Sequence, residues 1–485
     1  MNKPIRRVSI FCLVLILALM VRTNWVQGVQ ANSLANNSHN DRNKYDRYAY
    51  PRGNIIVGGD RVTSSDFVNG LRYKYKRSWV DGPLYAPVTG YSSQAFGSTQ
   101  LESLEDGILA GTDDRLFFRN TLDMLTGKQK QGGDIVTTIN AKAQKAAFDG
   151  LGNKKGAVVA LDPRTGAILA LVSTPSYDPG TFAGGGDADT AAWEKLKADT
   201  NQPMLNRALR ETYPPGSTFK LVTASAAFEN NVFQNIDDKT DTPSPYILPG
   251  TRTELKNESD NEPCEGATLK TGMDYSCNTV YGKIGADLGK DKMREQAEKF
   301  GFNKTVDTPI RAVQSFYPAN STDDGTALDS IGQHDTRATP LQMAMVASAI
   351  ANNGSLMQPY LVDQERSASL TTISKHSDKQ LSQAISPATA QKLQDMMVSV
   401  VENGTGKNAK IPGLTVGGKT GTAQHGEDNN GLPFAWFVSY AKGADNQSVA
   451  VAVVVEDGSN NRDGISGGRL AAPIAKAVMQ ATLGK

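Results

Sequence analysis

The chain has 485 residues, enough for two or three domains and a sizeable core. Its 51 basic and 50 acidic residues leave a net charge of +1, so it has no broad basic field and nucleic acid is excluded as the main partner. The cysteines (Cys12, Cys264, Cys277) and histidines (His39, His334, His376, His425) form neither a C-x-x-C pair nor a Cys/His cluster, so no metal site is expected. No histidine stands in the context of a Ser-His-Asp triad.

Lys3, Arg6 and Arg7 precede an uncharged, mostly apolar run from Val8 to Val21, the layout of an export signal or a signal anchor. The run alone is short for a spanning helix, which needs roughly 17–25 residues. Extended past Trp25 and Val26 to Val29, with Arg22 snorkelling, it is long enough. The expected order is a cytoplasmic tail (1–7), an anchor (8–29) and an extracytoplasmic remainder. The alternative is a cleaved signal, because Val29-Gln30-Ala31 loosely fits a small-residue cleavage site.

Residues 30–50 are rich in Asn, Ser, Asp and Arg and read as a polar linker. Pro51 to Gly59 opens a folded segment with a turn and a short strand. Leu101–Ala110 and Asp114–Leu125 read as short helices, and Ile135–Ile139 as a strand. Asn140 caps a helix from Ala141 to Gly150. This predicts an N-terminal module over 51–150. A hairpin follows: Gly156–Leu161, the turn Asp162-Pro163-Arg164-Thr165-Gly166, then Ala167–Val172. Phe434–Tyr440 and Val449–Val455 are two further strands, and Leu470–Leu483 is a last helix. Strands at both ends of a helix-rich stretch predict one α+β domain over 156–485, its sheet closed by the two ends of the domain.

Three short patterns stand in that domain, each in two copies. S-x-x-K occurs at Ser217–Lys220 and at Ser439–Lys442. A nucleophile and its base must meet; positions i and i+3 share a face on a helix but point apart on a strand. Pro214-Pro215-Gly216 stops an extended segment, and Ser217–Phe228 reads as a helix, whereas Ser439 ends a strand. The first copy is therefore chosen. S-x-N occurs at Ser259–Asn261, in a polar stretch that reads as a solvated loop, and at Ser276–Asn278, which follows a helix starting near Thr268 and precedes apolar Val280, Ile284 and Leu288. The second copy has core anchors to hold a reactive serine. K-T-G occurs at Lys270–Gly272, inside that helix start, and at Lys419–Gly421, continued by Thr422 and followed by the strand Phe434–Tyr440. The second copy is preferred: an edge strand beside the site suits pairing with an extended peptide, and Gly421 lets a ligand come close to the backbone.

The surviving set, Ser217-x-x-Lys220, Ser276-x-Asn278 and Lys419-Thr420-Gly421-Thr422, is the signature of penicillin-binding proteins and serine β-lactamases. With Leu161–Ala170, Tyr177-Asp178-Pro179, Pro214–Lys220 and Thr339–Met343, it resembles the penicillin-binding transpeptidases over essentially the whole chain. The resemblance is to the monofunctional class B type, and within it to penicillin-binding protein A of actinobacteria; Arg52-Gly53-Asn54-Ile55 is similar to the motif that opens the N-terminal module of class B enzymes.

The resemblance implies an antiparallel sheet flanked by helices, a helical subdomain and a non-catalytic pedestal or dimerisation-like module. It implies a D,D-transpeptidase. Ser217 would attack the carbonyl between the terminal D-alanines of a peptidoglycan stem peptide, D-alanine would leave, and an amine of a second stem peptide would resolve the acyl-enzyme. Lys220 would be the base, Ser276 the proton relay, Asn278 a hydrogen-bonding partner of the substrate backbone, and Lys419 and Thr420 the clamp on the substrate carboxylate. The N–H groups of Ser217 and Thr422 would form the oxyanion hole. No cofactor is implied. Expected partners are stem peptides, β-lactams, the bilayer and other cell-wall synthesis proteins. Cys264 and Cys277 are expected to pair in an oxidising compartment and brace the loop of Ser276, the alternative being two free thiols. A D,D-carboxypeptidase, a β-lactamase and an inert scaffold or β-lactam sensor are the rival readings.

Overall fold

The structure, a computed structural model, describes residues 3–35, 47–69, 73–116, 130–426, 430–444, 447–456 and 462–485. A five-stranded antiparallel sheet runs in the order Thr415–Ala423, Phe434–Lys442, Ser448–Val455, Gly156–Leu161, Ile168–Thr174. Ser448–Val455 pairs with Gly156–Leu161, so the two ends of the domain do close one sheet. Both faces are covered, which is why these strands read as unbroken apolar runs. Val158, Ala160, Phe437, Val451 and Val453 face the helices Ala141–Leu151 and Ala472–Leu483. Their neighbours Ala157, Val159, Trp436, Val438, Ala452 and Val454 face the larger core, which includes the wholly buried helix Pro340–Ala351. Period-two alternation thus divides one set of strands between two cores. Thr415–Ala423 is left as an edge.

Packing crosses the boundary expected at residue 150. Asn140 caps the helix Ala141–Leu151 as expected, its side chain accepting from the N–H groups of Lys142 and Ala143. That helix packs mainly on the main sheet and the C-terminal helix, although Gln144 Nε2 also donates to the Leu84 carbonyl of the N-terminal module at 3.0 Å. Conversely, Val362–Arg366 and Thr372–Lys375, deep within the expected 156–485 domain, extend the N-terminal sheet. Its order is Thr372–Lys375, Val362–Arg366, Asp134–Thr137, Ile55–Val57, Asp60–Arg61. Sequence continuity hid this, because strand partners are chosen by tertiary contact. The linker is also shorter than 30–50: Tyr48 is buried, its hydroxyl donating to the Ser93 carbonyl, and Arg47 pairs with Asp106. The helices read over 101–110 and 114–125 become Gln100–Leu104, Asp106–Leu109 and a short 3-10 turn Asp114–Leu116; residues 117–129 lie outside the described residues.

Arg52, flagged in the opening motif, is buried beneath this sheet. Its guanidinium bonds Glu102 at 3.0 Å and Asp106 at 2.6 Å. Arg77 shares Glu102, and also donates to the Gly53 carbonyl at 2.7 Å and to Thr63 Oγ1 at 2.8 Å. The N-terminal apolar run forms a single helix, Lys3–Gly28, with no buried residue and a mean hydropathy of 2.2 over its most apolar stretch. At 1.5 Å per residue it is about 39 Å long, more than the roughly 30 Å of a bilayer core.

Candidate active site

Ser217 lies at the start of a helix, but through a tighter turn than expected. Gly216–Phe219 is a 3-10 turn that runs directly into the α-helix Lys220–Glu229. Gly216 has φ +54°, and a Cβ there would meet Ala423 Cβ at 3.0 Å, so only glycine seats the turn against the edge strand. Thr218 Oγ1 closes the turn on the Pro215 carbonyl at 2.7 Å. Trp436 Nε1 holds the Pro214 carbonyl at 3.1 Å from the next strand.

Ser276 sits between two helices rather than at the end of one. Leu269–Asp274, capped by Thr268, stops before it, and Asn278–Leu288 begins after it. Ser276 itself takes φ +60°, a left-handed conformation that is strained for a non-glycine residue. Cys277 is bonded to Cys264, which holds this corner. Lys220 Nζ donates to the Ser276 carbonyl at 2.6 Å, to Asn278 Oδ1 at 2.8 Å and to Ser276 Oγ at 3.4 Å. Lys419 Nζ donates to the same Oγ at 2.8 Å. Ser276 Oγ therefore stands between two lysines. No hydrogen bond joins Lys220 Nζ to Ser217 Oγ.

Lys419-Thr420-Gly421-Thr422 is part of the edge strand Thr415–Ala423, paired with Phe434–Lys442, so the motif itself forms the edge. Gly421 also has an internal reason to be small. A Cβ there would meet Thr218 Cγ2 at 3.0 Å and the Pro215 carbonyl oxygen at 3.1 Å, so the missing side chain admits the turn of Ser217. Lys419 is fully buried, bonded to Ser276 Oγ and to the Thr420 carbonyl, and stands behind that serine.

Both lysines are buried without a carboxylate salt bridge among the described residues. Burial pushes Lys220 well below the ordinary lysine range, and the charge of Lys419 pushes it further the same way. Burial brings Lys419 down to about 7, against the opposing pull of Glu258, Asp274 and Glu262. An amine that sheds its proton near neutrality can accept one from a hydroxyl.

Ser217, Ser276, Thr420, Gly421 and Thr422 line one cavity of about 250 Å³. Glu258, Thr405, Asn408 and Ser466–Arg469, which the sequence reading did not nominate, complete its lining. Thr405 Oγ1 lies 2.6 Å from Thr420 Oγ1, and Asn408 Nδ2 bonds the Gly468 carbonyl at 2.8 Å. Gly467 sits so close to the edge strand that a Cβ would fall 2.8 Å from the Gly421 carbonyl oxygen. The Gly467-Gly468 pair was the available sequence signal for this wall; Thr405 and Asn408 had none. Three larger cavities, of about 550, 420 and 350 Å³, lie elsewhere and contain none of the residues of the three chosen motifs. The rejected copies stay apart: Ser439 is buried mid-strand, donating to the Val451 carbonyl; Ser259–Asn261 is exposed; Lys270–Gly272 lies on the helix before Ser276.

The paired helices, the five-stranded sheet and a serine–lysine constellation at its edge define the penicillin-binding transpeptidase class of fold. Residues 156–480 match the penicillin-binding protein transpeptidase domain, and residues 52–135 match the penicillin-binding protein A dimerisation domain. The chain is 41% identical to the peptidoglycan D,D-transpeptidase PbpA of Mycolicibacterium smegmatis, over 100% of this chain and 99% of that one. It is 39% identical to PbpA of Mycobacterium tuberculosis, with the same coverage. It is also similar to the solved structure of penicillin-binding protein A from M. tuberculosis as a ceftriaxone acyl-enzyme complex. That match has TM-score 0.85 and 39% identity, and covers 90% of this chain and 100% of the other. The chain belongs to the class B penicillin-binding protein family.

Proposed function

We propose that this chain is a peptidoglycan D,D-transpeptidase that cross-links stem peptides through an acyl-enzyme on Ser217 and is acylated by β-lactams at the same serine. The observation that carries the reading is the cavity in which Ser217 meets Ser276, with the two proton-poor lysines behind it. Lys220 draws the proton from Ser217 as Oγ attacks the carbonyl between the terminal D-alanines; such contacts tighten once substrate is bound. Ser276, held between Lys220 and Lys419, passes a proton to the departing D-alanine amine. Asn278 orients Lys220 through Oδ1 and, by resemblance, the substrate backbone. The N–H groups of Ser217 and Thr422 cradle the oxyanion, each worth on the order of 3 kcal/mol in the transition state. Thr420 and Thr422 take the substrate carboxylate, with Lys419 contributing from behind Ser276.

The helix Lys3–Gly28 is read as a single-pass anchor with the catalytic domain outside the cytoplasm, supported by its length and by the Cys264–Cys277 disulfide, which fits an oxidising compartment. The catalytic unit spans 156–485 with the helix Ala141–Leu151 added. The residues before it, joined by the strand pair 362–375, form a non-catalytic pedestal whose partners are other cell-wall synthesis proteins. Incubation with labelled penicillin tests the reading. Label that persists on wild-type protein and is lost in Ser217→Ala supports it. Rapid turnover indicates a β-lactamase and absence of label an inert site, while a product hydrolysed in the presence of an amine acceptor indicates a carboxypeptidase.

A further inference from the structure

The loop rejected as a decoy in the sequence, Lys256 to Pro263, is folded over the cavity. The Lys256 carbonyl accepts from Asn278 Nδ2 at 3.0 Å. Asn257 Oδ1 accepts from the Thr279 N–H at 3.1 Å, and the Cys264–Cys277 disulfide closes the far end. This clamps the loop to the Ser276 corner at both ends and brings Glu258 into the lining of the cavity that holds Ser217. Glu258 is the one carboxylate in that lining and makes no ion pair among the described residues. It is exposed, while the nearby lysines lie buried behind Ser276. Its negative charge is felt at both, opposing the downward push on Lys220 and Lys419.

A carboxylate left unpaired at the mouth of an acyl-transfer site attracts a cation. The donor peptide brings a carboxylate, which Glu258 would repel. The acceptor brings an alkylamine, cationic in water with a pKa of about 10.4. We infer that Glu258 is the acceptor-binding residue, which holds the ammonium of the incoming amine beside the Ser217 ester and selects it over water. This rests on the transpeptidase reading above. After the ammonium gives up one proton to solvent, its nitrogen lone pair attacks the ester carbonyl. The C–N bond forms, the bond from the carbonyl carbon to Ser217 Oγ breaks, and the second amine proton returns to Ser217 Oγ through Ser276 and Lys220. The products are an amide and the free serine, and no other reactant is needed.

The test uses the full-length protein, a thioester analogue of the donor peptide and two acceptors. Nα-acetyl-lysine amide is cationic at neutral pH, whereas hydroxylamine is mostly neutral. In Glu258→Gln, the ratio of aminolysis to hydrolysis with the lysine acceptor should fall roughly tenfold, through a higher KM for that acceptor, as loss of a charge-assisted contact predicts. The ratio with hydroxylamine should change far less, and Glu258→Asp should restore part of the preference. An equal fall for both acceptors, or an unchanged ratio for the lysine acceptor, overturns the inference. If Glu258 acts only by tuning the lysines, the pH profile of penicillin acylation moves and the acceptor KM does not, which also overturns it. A wild-type protein that takes no label from penicillin overturns the transpeptidase reading instead, so the two failures are distinct.

Discussion

Two of the places where this protein buries cations treat them in opposite ways. In the N-terminal module, Arg52 and Arg77 are buried around Glu102, and each guanidinium meets that carboxylate as well as neutral oxygens. At the catalytic edge, Lys220 and Lys419 are buried just as completely but meet only hydroxyl, amide and carbonyl oxygens. Guanidiniums keep their protons in any protein environment and must be neutralised by partners. A buried ammonium has another outlet, because it can give up its proton. The paired cluster therefore suits rigidity and the unpaired one proton transfer, although the cations of both are buried.

Substitutions test that contrast directly. The largest effect is expected for Lys220→Met, which removes the proposed base: acylation by labelled penicillin should slow by about 10²–10⁴-fold. Its melting temperature should rise, since an apolar side chain replaces a buried amine. Next comes Glu102→Ala, which leaves two buried guanidiniums without their shared carboxylate. It should cost about 3–5 kcal/mol in chemical denaturation. A stabilised Glu102→Ala would erase the distinction between the clusters.

Removing the disulfide by Cys264→Ser with Cys277→Ser opens a crosslink that spans 13 positions, and should cost about 3 kcal/mol. It should also loosen the corner that holds Ser276 at φ +60°, so acylation should fall with stability.

The pH response gives a subtler test. Lys419 holds a proton only below about 7 when folded, but up to about 10.4 when unfolded. Between those values the unfolded chain binds more protons, so stability should climb as pH rises from about 7 toward 10.4. Lys419→Met should flatten that slope in thermal melts. It should also move the acid limb of the acylation profile upward, because Lys220 would lose the neighbouring charge that helps strip its proton. The smallest effect is expected for Thr405→Val. Losing the 2.6 Å contact to Thr420 should cost about 0.5–1.5 kcal/mol in the affinity of a peptide carboxylate, read as a higher donor KM.

The legible parts of the site were those that local chemistry fixes. Pro214-Pro215-Gly216 can only turn before a helix, and Thr268 caps the segment that delivers Ser276. Asn140 and the hairpin around Asp162–Gly166 were readable for the same reason. The site's less legible parts depend on approach. That Gly421 yields space to Thr218, that Lys419 serves Ser276 from behind, and that Thr405, Asn408 and Glu258 share the cavity all follow from which segments pack together. The strand Val362–Arg366 joining the N-terminal sheet is the fold-level counterpart.

Sequence alone was enough to single out Ser217, Lys220, Lys419, Ser276 and the apolar N-terminal helix, because each is written in short-range spacing, capping or hydropathy. Tertiary structure alone decided which residues act on which. The charge states of Lys220 and Lys419 come from burial, and burial is the sum of contacts from segments distant in the chain. Glu258 shows the same limit from outside the motifs: in sequence it sits in a solvated loop, and only the disulfide and the asparagine contacts bring its charge to the reacting serine.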